Sequence, residues 1–154
     1  MLKTAQIAPD FTLPCDTGDE ISLSALRPAP VVLFFYPRDD TPGCTLEAID
    51  FTRLLPEFQA LGVRVFGVSK DDIKKHCAFR DKHGLAVPLL SDSQSDTCEK
   101  YGLWGEKTMY GKTFMGITRA TFLIDADGKI ARMWPKVKVE GHAQEVLLAA
   151  QELA

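Results

Sequence analysis

Cys44 is the residue whose setting suggests chemistry. It closes the stretch Tyr36-Pro37-Arg38-Asp39-Asp40-Thr41-Pro42-Gly43-Cys44, which follows an apolar run over 31–36 and precedes a helical pattern over 46–58. A buried strand therefore hands over to a helix at this cysteine. Thr41 suits the N-cap. Pro42 suits the first helical position, where its missing N–H had no partner in any case. Cys44 then falls in the first helical turn, where free backbone N–H groups and the positive end of the helix dipole favour a thiolate over a thiol. On spacing alone, an ordinary buried cysteine beside a turn fits equally well.

The elements that must position this residue follow from pattern. Short β-prone pieces at 11–13 and 21–23 flank the turn residues Cys15-Asp16-Thr17-Gly18-Asp19 and predict a hairpin with Cys15 on its rim. The run 31–36 is apolar throughout, as in a strand covered on both faces. In the helix that follows, Leu46, Ile49, Leu54, Leu55 and Phe58 are expected to be buried, and Glu47, Asp50, Arg53 and Glu57 to face solvent. A second buried strand is read over 63–68. A helix follows over 71–82, with Asp71 or Ser69 near its start, Gly84 at its end, and Ile73 and Cys77 on one face. Next come a short extended piece at 87–90 and a short helix at 96–101. The segment 102–116 reads as a long loop carrying Trp104, Tyr110 and Phe114. A strand over 118–124, a turn at Asp125-Ala126-Asp127-Gly128 and a strand over 130–134 make a second hairpin. A final helix runs from Gly141-His142 to Leu153, with Val146, Leu147, Ala150 and Leu153 on its core side. Crossover helices imply parallel central strands, and the late hairpin adds antiparallel ones. The fold class is α/β, a mixed central sheet flanked by helices with an N-terminal β-hairpin extension.

The 154 residues read as one domain spanning 1–154, with 45% apolar and 25% charged residues, ordinary values for a globular protein. A net charge of −3 makes no electrostatic case for nucleic acid or an anionic membrane. No apolar run approaches the ~20 residues of a membrane span, and residues 1–14 lack the apolar core of a signal peptide, so the cytoplasm is the expected compartment. Four cysteines, Cys15, Cys44, Cys77 and Cys98, are widely spaced without a C-x-x-C pair. In a reducing compartment they read as core residues or catalytic thiols, not as a disulfide framework. His76, Cys77 and His83 lack a fourth ligand at a usual spacing, so no metal site is expected.

The pattern Pro37-x-x-x-Thr41-x-x-Cys44, set within Phe34-Phe35-Tyr36-Pro37 and Thr41-Pro42-Gly43-Cys44-Thr45, resembles the active-site signature of the peroxiredoxins. The flanks resemble the subfamily of bacterioferritin-comigratory proteins, or peroxiredoxin Q. They are Ala8-Pro9-Asp10-Phe11, Leu103-Trp104-Gly105-Glu106-Lys107, Arg119-x-Thr121-Phe122-Leu123-Ile124-Asp125 and Gly128-Lys129-Ile130. The match spans nearly the whole chain in the expected order. It implies a thioredoxin-like fold, reduction of hydrogen peroxide and alkyl hydroperoxides, no cofactor and a monomer.

Such a reaction needs a thiolate, an aligned O–O bond and a stabilised leaving oxygen. Cys44 supplies the nucleophile, and Thr41 can place its hydroxyl near the sulfur. The resemblance implies that Pro37 shields the thiolate and that Arg119 supplies the fixed positive charge. By sequence alone Arg38 and Arg53 are equally eligible, and arginine suits the task by its permanent charge and forked donors. The backbone N–H groups of Gly43 and Cys44 are expected to bind the peroxide oxygen. The sulfenic acid left on Cys44 must then condense with a thiol. Many members carry a resolving cysteine five residues on, where this chain has Ile49. Others place it on the next helix, at a position aligned with Arg80. Two routes follow: a one-cysteine mechanism reduced by thioredoxin or by glutathione/glutaredoxin, or an atypical two-cysteine mechanism with Cys77 resolving. A core role for Cys77 beside Ile73 fits as well. Cys98 resembles a common non-resolving position. Two other functions stay open. A general thiol–disulfide oxidoreductase would want a second cysteine two residues from Cys44. A non-enzymatic redox sensor would keep its function in Cys44→Ser.

Overall fold

The structure is a computed structural model that describes residues 2–153. Its centre is a five-stranded sheet in the order β5-β4-β3-β8-β9. The strands are β3 (Val31–Phe35), β4 (Arg64–Ser69), β5 (Leu89–Ser91), β8 (Ala120–Ile124) and β9 (Ile130–Trp134). β3, β4 and β5 run parallel, while β8 is antiparallel to β3 and β9 antiparallel to β8. All five residues of β3 and of β8 are buried, as expected of strands covered on both faces; β3 is apolar throughout, and β8 is so but for Thr121.

The two faces are covered differently. Helices α1 (Pro42–Ala60), α2 (Ile73–His83) and α4 (His142–Leu153) lie on one face, with Phe51, Phe58, Phe79 and Val146 packed against Val32, Phe34 and Val65. The crossovers β3-α1-β4 and β4-α2-β5 step the same way along the sheet, so right-handedness puts both helices on this side. The opposite face is covered by the N-terminal hairpin β1 (Thr12–Pro14) and β2 (Glu20–Ser22), a 3-10 turn over Leu23–Leu26, and the one-turn helix α3 (Thr97–Lys100). Cys15 is buried there, off the rim the sequence suggested, because its backbone bridges to Leu90 of the edge strand β5.

Local signals explain the helix ends. Pro42 opens α1, and Thr41 is its N-cap by backbone, although its side chain makes no capping bond. Asp72 caps α2 by accepting from Lys75 N, and Gly84 closes it at φ 62°. Pro56 lies inside α1 without ending it.

The segment 102–116 is not a loop. It forms a separate hairpin of β6 (Trp104–Met109) and β7 (Lys112–Ile117), turned at Tyr110 and Gly111, both at positive φ. Leu46, Ile49 and Leu153 are exposed, against expectation, and Glu47 is buried. Among the described residues no helix is long and apolar enough to cross a membrane.

Candidate active site

The site lies where β3 ends and β8 begins. Antiparallel register pairs Phe35 with Ala120, so Tyr36 leaving β3 and Arg119 entering β8 are level with one another. α1 then starts at this edge and buries Cys44 in its first turn, 1% exposed. The Thr45 N–H closes the first turn on the Thr41 carbonyl. The Gly43 and Cys44 N–H groups precede that bond and have no intrahelical acceptor.

Arg119 connects the parts. Its Nη2 donates to Cys44 Sγ at 3.3 Å, and its Nη1 donates to Glu47 Oε1 at 2.6 Å. A Cβ on Gly43 would stand 3.2 Å from Nη2, so the missing side chain lets the guanidinium close on the helix start. Thr121, two residues on, binds the His142 imidazole at 2.8 Å and ties the start of β8 to α4. Burial pushes that imidazole down to about 4, so it stays neutral there.

Glu47 is the site residue that the helical pattern placed in solvent. It faces inward one turn after Cys44, and its second oxygen, Oε2, has no partner. Burial pushes its carboxyl up to about 7, against the pull of Arg119. Arg53 instead pairs with Asp50 at the surface, and Arg38 is exposed, so the cation at the sulfur is Arg119. The Thr41 hydroxyl donates to the Arg38 carbonyl at 3.0 Å and not to Cys44. This bond tightens the turn that also holds Pro37, while the hydroxyl oxygen keeps lone pairs for another donor.

The other cysteines sit elsewhere. Cys15 and Cys98 are buried thiols, and burial raises both above the ordinary range. Cys77 is half-buried on α2, its Sγ donating to the Asp16 carbonyl at 3.6 Å. Arg80 crosses the same carbonyl, with Nη1 at 2.9 Å. His76 and His83 are each held by a carboxylate, Asp39 and Asp40 respectively.

A buried cysteine at the head of a helix thus faces an arginine at the entry to a central strand. The chain belongs to the AhpC/TSA family, whose model matches residues 4–133, and within it to the bacterioferritin-comigratory, or peroxiredoxin Q, branch. It is 48% identical over 146 residues to the putative peroxiredoxin bcp of Coxiella burnetii, covering 95% of this chain and 97% of that one. A peroxiredoxin Q variant of Xanthomonas campestris superposes with a TM-score of 0.91 at 41% identity, covering 99% and 100% of the two chains. The bacterioferritin comigratory protein of the same organism, studied for alkyl peroxide reduction in trapped intermediate and ligand complexes, gives 0.89 at 41% identity over 97% and 98%. The protein is thus a peroxiredoxin, an enzyme that reduces peroxides at the expense of a thiol.

Proposed function

We propose that Cys44 is the peroxidatic cysteine, acting on hydrogen peroxide and alkyl hydroperoxides. The observation that carries this reading is the 3.3 Å contact of Arg119 Nη2 with Cys44 Sγ at the head of α1. The guanidinium and the free amides stabilise the sulfur anion before attack and the leaving oxygen during it. The thiolate attacks one peroxide oxygen and the O–O bond breaks. The other oxygen takes a proton and leaves as water or alcohol, and Cys44 becomes a sulfenic acid. Pro37 covers the sulfur, Thr41 aligns the peroxide through its free lone pairs, and the Gly43 and Cys44 N–H groups bind the oxygen. Glu47 fixes the guanidinium by its 2.6 Å bond. A groove of 710 Å³ opens beside the site, with Trp104, Met109, Phe114 and Met115 on one wall for an alkyl chain and Lys70, Asp71 and Lys75 on the other.

An external thiol, thioredoxin or glutathione with glutaredoxin, condenses with the sulfenic acid. This one-cysteine route is favoured by the setting of Cys77, whose thiol is engaged with Asp16 on a helix held by Arg80. The protein acts as a single domain over 1–154, as a cytoplasmic monomer. A general disulfide oxidoreductase is disfavoured because Thr45-Leu46-Glu47 follows Cys44 without a second cysteine.

Intact-protein mass after one equivalent of hydrogen peroxide, with no other thiol, tests the route. The expected result is a gain of one oxygen on Cys44, trapped by a sulfenic-acid reagent. Loss of two hydrogens with Cys44 linked to Cys77 would replace it by the two-cysteine route, and no rapid change would remove Cys44 from the role.

A further inference from the structure

A second cluster of buried titratable groups lies under the same turn. His76 of α2 is 0% exposed, and each ring nitrogen faces an acceptor. Nε2 stands 2.9 Å from the Leu90 carbonyl of β5. A carbonyl only accepts, so Nε2 carries a hydrogen. Nδ1 stands 2.6 Å from Asp39 Oδ2, while Asp39 Oδ1 accepts from the Tyr36 hydroxyl at 2.6 Å. A neutral imidazole protonated at Nε2, beside a carboxylate, would set two lone pairs against each other across that 2.6 Å gap. One further proton therefore sits between Nδ1 and Oδ2, whichever atom holds it.

This proton fixes a turn. Asp39 lies between Pro37 and Thr41, and its backbone N–H donates to Asp71 Oδ2 at 2.8 Å. The next residue, Asp40, is held at φ 58°, in the left-handed region that few residues other than glycine, asparagine and aspartate adopt. Its carboxylate takes Lys82 at 2.7 Å and His83 at 2.8 Å from the far end of α2. One helix thus grips two successive aspartates of the turn that leads to Cys44.

We propose that His76 is a positioning residue for the Cys44 site: the proton it shares with Asp39 locks the turn 37–41, and its loss at alkaline pH loosens the turn and slows peroxide attack. The proposal rests on Cys44 being the peroxidatic residue. The groups facing His76 are Tyr36 from β3, Asp39 from the turn, Asp71 from the β4–α2 connection and the Leu90 carbonyl from β5. Burial works against a charge on His76, but the Asp39 bond and charges outweigh it and hold the imidazole above its ordinary range. Burial and Asp39 hold Tyr36 as a phenol, so that group does not titrate alongside. The lock is complete below the ordinary histidine range and is lost, with the proton passing to solvent hydroxide, as pH rises through the raised value.

Two measurements on the full chain test this. Nitrogen NMR of labelled histidine reads the His76 ring. Stopped-flow mixing reads the rate of Cys44 oxidation by hydrogen peroxide over the same pH range. The expected result is a protonated or proton-sharing Nδ1 at neutral pH, with the peroxide rate falling as that signal titrates. Asp39→Asn should abolish the alkaline fall and lower the neutral rate by roughly tenfold to a hundredfold, the scale of a small misplacement of reacting groups. Alkylation of Cys44 by iodoacetamide needs the thiolate but no aligned O–O bond, and should keep its rate. A bare Nδ1 at neutral pH overturns the proposal, as does an alkaline fall that survives in Asp39→Asn or disappears in His83→Gln. If Asp39→Asn does not fold, a mismatch between the His76 titration and the peroxide rate in the unaltered protein overturns it. Peroxide turnover retained in Cys44→Ser would instead remove the Cys44 reading while leaving the His76 titration intact.

Discussion

Cys44 and Cys77 are the same residue in opposite settings. Cys44 sits in the first turn of α1, 1% exposed, with a guanidinium on its sulfur and unpaired amides behind it. Cys77 lies in the middle of α2, half-exposed, where helical amides are already bonded, and its sulfur gives its hydrogen to the Asp16 carbonyl. One sulfur accepts from a guanidinium and the other donates to a carbonyl. Exposure therefore does not separate the two sulfurs; the arrangement of donors around them does.

The contrast breaks most sharply if either serine variant behaves like the other. Cys44→Ser should abolish peroxide reduction, while Cys77→Ser should leave the rate of the first oxidation unchanged; stopped-flow oxidation with hydrogen peroxide reads both. Removing the donor rather than the sulfur comes next. Arg119→Met should cost roughly a hundredfold to a thousandfold in that rate, the range seen when one preorganised donor is lost from a reacting oxygen. An unchanged rate there would mean that the helix amides alone suffice.

Glu47→Gln has a smaller effect, on stability. The Glu47 carboxyl is raised from 4.5 to about 7 by burial, so the folded state holds a proton that the unfolded chain gives up. Its favourable contribution is complete below 4.5 and is lost as pH rises through about 7. Urea titrations should show the unaltered protein losing about 3 kcal/mol relative to Glu47→Gln across that window. Parallel curves would mean that Arg119 keeps the carboxylate charged at all these values. The smallest effect is expected at the groove. Phe114, 44% exposed, should change the rate with a bulky alkyl hydroperoxide by roughly a few-fold on truncation to alanine, less than a fully buried methylene is worth, and leave hydrogen peroxide untouched. Equal changes for both would take the aromatic hairpin out of substrate binding.

Much of this was legible. The apolar run of β3, Pro42 at the head of α1 and the β8–β9 hairpin carry local signals, and they place Cys44 at a strand-to-helix junction. What the sequence hid was tertiary. Glu47 reads as a solvent residue on a helical wheel, and only Arg119, arriving from 72 positions away, makes its burial tolerable. Leu46 and Ile49 read as core because the inward stripe was set by their neighbours' polarity, whereas Glu47, Ala48 and Phe51 define it. The β6–β7 hairpin leaves most of its residues exposed on both faces, so it has little apolar alternation to betray it. Its turn signal, a glycine at 111, follows a tyrosine where asparagine or aspartate is usual. The role of His76 was not legible, because its partner, Asp39, stands 37 positions earlier.

The antiparallel entry of β8 beside β3 also has a consequence in time. Cys44 and its arginine are 75 positions apart in the chain. A ribosome must add all of that length, and the sheet must then accept its fourth strand, before the sulfur meets a guanidinium. Such long-range closure comes late because its entropy is spent before the contact rewards it. An emerging chain therefore carries Cys44 without its arginine through synthesis, and the two meet only with completion of the fold.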